Sequence, residues 1–231
     1  MSPTQATTPT NTPSQLDYTK ARELMVEQQV RPWDVLDARV LDALSSIPRD
    51  AFVPAAHRAL AYVDVALPLA HGEVTMKPVV EGRMLQALAL TPSDEVLEIG
   101  TGSGFISACL GHLARDVVSL ELHADLADAA RARLTAQNLA GNIRIETADA
   151  LAWTTERRFD AICVTGAVDR IPSRFLEWLR PGGRLFVVQG RSPVMDAVLV
   201  RNDVNGQRIE SLFETDLPYL VGAAPAPTFE L

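Results

Sequence analysis

From residue 17 to 62 the apolar positions fall at helical spacing. Ala21, Leu24 and Met25, with Gln28, form one stripe in YTKARELMVEQQV. Val35, Leu36, Val40, Leu41 and Leu44 form a second in DVLDARVLDALSSI. Pro32 and Pro48 punctuate these helices. Residues 68–78, PLAHGEVTMKP, carry two prolines and a glycine and read as a loop or short strand, and residues 79–91 are again helical. From residue 95 the pattern changes, and short β-branched runs alternate with helical stretches. Strands are predicted at 95–100, 116–122, 143–149, 159–167, 183–190, 196–202 and 209–217. Helices are predicted at 104–114, 123–139 and 171–179, the last with Pro172 near its start, where a missing N–H is harmless.

Strand–helix alternation implies a doubly wound α/β fold, a mostly parallel seven-stranded sheet with helices on both faces. The last two strands have no helix between them. DVNGQR, with its Asn-Gly, joins them, so they should form a terminal antiparallel hairpin. The expected division is a disordered tail over 1–15 and an N-terminal helical and loop region over 16–78. A ligand-binding domain over 79–222 and a short C-terminal tail over 223–231 follow.

Composition narrows the setting. A chain of 231 residues, 47% of them hydrophobic, can bury roughly 70% of its unfolded surface. Residues 1–15, MSPTQATTPTNTPSQ, hold no Lys, Arg or apolar run, so neither a signal nor a transit peptide fits. No apolar stretch approaches the ~18 residues that span a bilayer. The reading is a cytoplasmic protein. Lys and Arg number 21 against 29 Asp and Glu, a net charge of −8, which argues against nucleic-acid or membrane partners. Cys109 and Cys163 sit in apolar runs as buried thiols; with no CxxC and no metal-ligand spacing of histidines, no metal site is expected.

The chemistry centres on Glu98-Ile99-Gly100-Thr101-Gly102-Ser103-Gly104, which follows a strand and opens a helix. Glycines there let the backbone turn sharply and lie against a ligand. In an open α/β sheet the ligand sits outside the carboxyl ends of the strands. The spacing is G-x-G-x-G, not the dinucleotide G-x-G-x-x-G, and an acidic residue stands two positions before the first glycine. A pyrophosphate would be repelled by a carboxylate at Glu98. S-adenosylmethionine has no phosphate and carries an ammonium and a sulfonium, so a carboxylate there would favour it. Glu121 ends the second strand, where a carboxylate can accept both ribose hydroxyls. Asp149 ends the third, within reach of an adenine amino group. Thr165 and Gly166 close the fourth and border the same crevice.

The chain resembles the protein-L-isoaspartate O-methyltransferase family of S-adenosylmethionine-dependent, Rossmann-like methyltransferases, over residues 20–220. The resemblance rests on MVEQQVRPWDVLDARVLDALSSIPRDAFVP, AYVDVALPLAHGEVTMKP, VLEIGTGSGF, FDAICVTGA and LRPGGRLFVVQG. It implies cofactor contacts at Glu98, Gly100, Gly102, Gly104, Glu121 and Asp149, with Thr101, Leu122, Ala150 and Thr165 beside them. It implies methylation of the free α-carboxylate of L-isoaspartyl residues, so the partner is a protein or peptide carboxylate and the role is protein repair.

The chain departs from the family in the loop before the glycine motif. The usual G-Q-T-I-S-x-P is Gly72-Glu73-Val74-Thr75-Met76-Lys77-Pro78 here, and the family serine falls on Met76, which cannot donate a hydrogen bond. Gly-Asp-Gly after the third strand is Ala148-Asp149-Ala150. Thr75 and Lys77 are candidate replacements for the lost hydroxyl, and Met76, Lys77, Pro78 and Gly166 are expected to face the substrate. Two other readings share these motifs: a methyltransferase of the same lineage with another acceptor, and a non-catalytic cofactor-binding or interaction protein.

Overall fold

A computed structural model describes residues 16–203 and 206–226. The expected tail over 1–15, the hairpin turn at 204–205 and the end of the C-terminal tail at 227–231 lie outside them. Asp17 caps α1 (Tyr18–Met25) by accepting from the Lys20 N–H, and Asp37 caps α2 (Ala38–Ser46) through the N–H groups of Arg39 and Val40. The helical run expected through residue 62 is interrupted. After α1 the chain widens to a π turn at Val26–Val30, tightens to a 3-10 turn at Arg31–Trp33, and leaves it at Asp34 with φ 61°. After α2, Ile47 and Pro48 are extended, and only 3-10 turns follow at Arg49–Ala51 and Ala55–Leu60. Pro48 disfavours helical backbone at Ile47 and has no N–H to extend α2. Pro78 opens α3 (Pro78–Leu88), and left-handed Ala89 ends it two residues before the expected limit at 91.

Seven strands form one sheet in the order β3-β2-β1-β4-β5-β6-β7. They are β1 (Glu95–Ile99), β2 (Asp116–Glu121), β3 (Ile143–Thr147), β4 (Phe159–Val168), β5 (Leu179–Arg191), β6 (Val194–Asp203) and β7 (Gly206–Thr215). The first five are parallel, and β6 and β7 run antiparallel, with Asp203 facing Gly206 in the terminal hairpin. α4 (Phe105–Leu113), α5 (Ala124–Ala136) and α6 (Ser173–Glu177) connect the parallel strands.

Successive strand residues point to opposite faces, and both faces are apolar: Val96, Val117, Cys163 and Phe186 on one side, Leu97, Val118, Val164 and Val187 on the other. The first face is covered by helices of the N-terminal region together with α4 and α5. The second carries α6, the segment around Leu151 and Trp153, and Leu220 and Ala223 of the returning chain. Trp153 packs edge-on against Trp178 with ring centroids 5.1 Å apart, so a loop between β3 and β4 does part of the covering. Among the described residues no helix is long and apolar enough to cross a membrane.

The end of the sheet opposite the site is closed by Arg184 of β5. Its guanidinium donates to the carbonyl oxygens of Leu88, Ala89 and Asp160 and pairs with Asp94 at 2.5 Å. Both side chains of the pair are largely buried. One side chain thereby ties the end of α3, the turn into β1 and the start of β4. Arg184→Met should therefore lower the unfolding free energy by about 3 kcal/mol, because it leaves Asp94 and three carbonyls short of a partner. A urea titration showing less than ~1 kcal/mol would refute that role.

Candidate active site

The strand order reverses between β1 and β4, and the crevice that this opens lies at their carboxyl ends. An open cavity fills it, with about 810 Å³ of space that includes its part continuous with solvent. Its wall comes from the loop at 69–76, the glycine turn after β1, the ends of β2 and β3, the end of β4, and residues 217–221.

Three local features shape the floor. Gly100 has φ 93°, and a Cβ there would stand 2.3 Å from Thr165 Oγ1, so only glycine fits. Thr165 in turn donates to the carbonyl oxygens of Ile99 and Gly100, at 3.0 and 2.6 Å. The register of β4 on β5 slips between Cys163 and Ala167, where four steps on β4 face two on β5 (Phe186 to Val188). That bulge presents Thr165 and Gly166 to the cavity instead of burying them in the ladder.

Glu121, 5% exposed, accepts the Gly102 N–H at 2.8 Å on one oxygen and the His123 N–H at 3.0 Å on the other. A carboxylate has about four lone-pair sites. Two are taken, and the rest remain for a pair of ligand hydroxyls along the cavity wall. Asp149 is exposed at the cavity edge, with Oδ1 held by the Leu151 N–H at 2.8 Å. Leu122, Ala150, Met76 and Gly166 also line the wall. These residues fit an adenosyl group: a diol acceptor at the end of β2, an acceptor at the end of β3, and apolar walls between.

Other expected site residues stand elsewhere. Glu98 is fully buried and absent from the wall. Its Oε2 accepts from Ser107 and Ser119, both at 2.5 Å, and Ser119 bonds Thr101 Oγ1 at 2.5 Å. Glu98 and Thr101 therefore brace the glycine turn from beneath. The favourable charge expected of Glu98 toward the ligand is also lost. Burial pushes its carboxyl up to about 8, against the two serine bonds and with the Glu121 charge adding to it, so the acid is largely neutral at pH 7. Gly104 caps α4 and packs on Ala130; it too lies off the wall.

In the loop, Met76 faces the cavity and the next residue, Lys77, faces solvent, as extended backbone alternates sides. Lys77 is therefore not placed to hold a substrate in the cavity. Pro78 is buried at the start of α3 and off the wall. Thr75 also lines the wall, and its Oγ1 accepts from the Leu67 N–H at 3.0 Å and lies 3.4 Å from Arg49 Nη2. His71 ties the loop across to α5. It bonds Asp125 at 2.8 Å and stacks on His123 with ring centroids 4.0 Å apart. Among the described residues no group of three His, Cys, Asp or Glu side chains could hold a metal ion.

Residues 217–221 form a wall that the sequence pattern did not reveal. After β7 the chain returns to β4, with Ala167 N–H bonding Pro218 O at 2.8 Å and Leu220 N–H bonding Ala167 O at 2.9 Å. The Tyr219 hydroxyl donates to Gly190 O at 2.9 Å. LPYLV has no periodicity or motif to mark it as a site element.

Comparison with known proteins places this architecture. The family model described as protein-L-isoaspartate(D-aspartate) O-methyltransferase (PCMT) matches residues 20–215. A protein-L-isoaspartate O-methyltransferase of Methylorubrum extorquens is 41% identical over 184 residues, covering 80% of each chain. One from Syntrophobacter fumaroxidans is 38% identical over 209 residues, 90% of this chain and 97% of the relative. A Plasmodium falciparum crystal structure assigned the same activity, in complex with S-adenosyl-L-homocysteine, superimposes with a TM-score of 0.76 over 89% of this chain and 99% of its own, at 17% identity.

The buried acid under the glycine turn makes a pH prediction. Its folded pKa of about 8 lies above the ordinary 4.5, so the associated stability is complete below pH 4.5 and is lost as pH rises through 8. Glu98→Gln removes that loss. The stability gap between variant and wild type should grow in the variant's favour, by on the order of a few kcal/mol, from pH 5 to pH 8.5. Thermal melts at the two pH values test it; a constant gap would show that Glu98 titrates normally.

Proposed function

The chain belongs to the protein-L-isoaspartate(D-aspartate) O-methyltransferase family, and on that premise we propose that it transfers a methyl group from S-adenosylmethionine to the carboxylate of isoaspartyl residues in damaged protein. The observation that supports this most directly is Glu121, fixed by the Gly102 and His123 N–H groups at the cavity wall beside an open glycine turn. Glu121 is assigned the ribose hydroxyls and Asp149 the adenine edge, with Leu122 and Ala150 as apolar neighbours. Gly100 and Gly102 are assigned the close backbone approach. The bound cofactor supplies an electrophilic methyl group on a sulfonium.

The protein's remaining work is orientation and exclusion of water. A carboxylate acceptor has a pKa near 4 and is ionised at pH 7, so no general base is needed. An anionic nucleophile and a cationic leaving group cancel charge along the reaction, and an apolar wall favours that cancellation. Met76, 4% exposed, with Leu217 and Leu220, supplies such a wall beside Gly166. The acceptor must be held within ~3–3.5 Å of the methyl carbon. Met76 offers no hydroxyl to that end; its own carbonyl is already bonded to Arg49 Nη2 at 2.9 Å.

Two experiments test this reading. In calorimetry S-adenosylmethionine or S-adenosylhomocysteine should bind and NAD should not, and Glu121→Ala should weaken binding by ~1–3 kcal/mol. Tight NAD binding with no response to either S-adenosyl compound would reverse the assignment. In a labelled-methyl assay on an isoaspartyl peptide, Met76→Ser should raise kcat/KM by about ten- to a hundredfold, the value of one hydrogen bond to a charged group. Cofactor binding without turnover in either protein would point to another acceptor.

A further inference from the structure

The main cavity has a small side branch at the loop 74–76. The branch shares Met76, Gly100 and Thr165 with the main cavity and ends on residues that the main cavity does not reach, among them Thr101, Ser103 and Glu81. Glu81 is 2% exposed. Its Oε1 accepts from Arg49 Nη1 at 2.8 Å, and its Oε2 is buried with no hydrogen-bond partner in the protein. A buried carboxylate oxygen without a donor is a group with an unmet requirement.

The strand order says which part of a bound S-adenosyl compound lies nearest. Across the carboxyl ends of β3, β2, β1 and β4, the adenine edge is assigned to Asp149 after β3 and the ribose to Glu121 at the end of β2. The amino-acid end must then lie over β1 and β4, beside Met76, Gly100 and Thr165, which line both cavities. That end is a zwitterion. A carboxylate repels its carboxylate and attracts its ammonium, which brings three donors.

We propose that Glu81 is the acceptor for the α-ammonium of the cofactor, with Oε2 taking the bond that no protein group supplies. This rests on the cofactor reading above and adds a binding residue to which the family resemblance assigns no role. Arg49 keeps its own place at Oε1, so the carboxylate bridges a fixed guanidinium and the ligand. The acid is suited to that part. Burial outweighs Arg49 and pushes it up to about 7, so an arriving cation draws it into the ionised form. The charged and titratable groups facing it are Arg49, Asp64 in the segment before α3 and, on α4, Cys109, whose thiol burial pushes well up.

The test is a binding cycle by calorimetry, using S-adenosylhomocysteine and its analogue lacking the α-amino group. Wild type should bind the first, and Glu81→Gln should bind it about ten- to a hundredfold more weakly while binding the analogue as wild type does. Equal losses for both ligands, or no loss for either, would overturn the proposal. If Glu81→Gln fails to fold, wild type alone decides. Titrations at pH 7 in two buffers of different ionisation enthalpy should show proton release with S-adenosylhomocysteine and none with the analogue. No release with S-adenosylhomocysteine overturns the proposal while leaving the cofactor reading intact. Failure of wild type to bind S-adenosylhomocysteine at all defeats that reading and this one with it.

Discussion

A guanidinium with no solvent exposure organises the region around the site. Arg49 lies in a 3-10 turn after α2 and reaches Ala61 O, Glu81 Oε1, Thr75 Oγ1 and Met76 O, with its charge 4.9 Å from the Phe105 ring centroid. Moving an ion of this size out of water costs several kcal/mol unless its donors and charge are satisfied. That demand fixes the relative positions of four pieces of chain: the turn around residue 61, the loop at 75–76, the first turn of α3 and the start of α4. The loop that borders the cavity is therefore held from behind by an obligatory set of bonds, while its tip is tied by the exposed His71–Asp125 contact and the His71–His123 stack.

This arrangement explains how an apolar residue serves at Met76. The family's hydroxyl would project from the same backbone, which Arg49 holds through the Met76 carbonyl. The side chain can change from polar to apolar without moving that backbone. A change at Arg49 would move it. On the opposite side of the cavity, the β4 bulge and the returning segment at 217–221 complete the wall, joined through the Ala167 bonds to Pro218 and Leu220. The cavity thus belongs to no single motif. It is the space between a loop pinned by a buried charge and a strand end that leaves the ladder.

Much of this was determined by local sequence. Alternating strands and helices, the glycine turn, and acidic residues at the ends of β2 and β3 are short-range patterns, and they specified the seven-stranded sheet, the terminal hairpin and much of the cavity wall at those strand ends. Period and turn chemistry act over a few residues, so they can be read without the fold. Tertiary structure decided the rest. Glu98 in the motif reads as a ligand contact, and only packing under Ser107 and Ser119 makes it a buried, largely neutral brace. Lys77 beside Met76 reads as a substrate anchor, and only the direction of extended backbone entering α3 turns it to solvent. Glu81 lies 32 positions from Arg49, residues 217–221 carry no motif and pair with Ala167, and their roles arise from long-range burial, which no local pattern encodes.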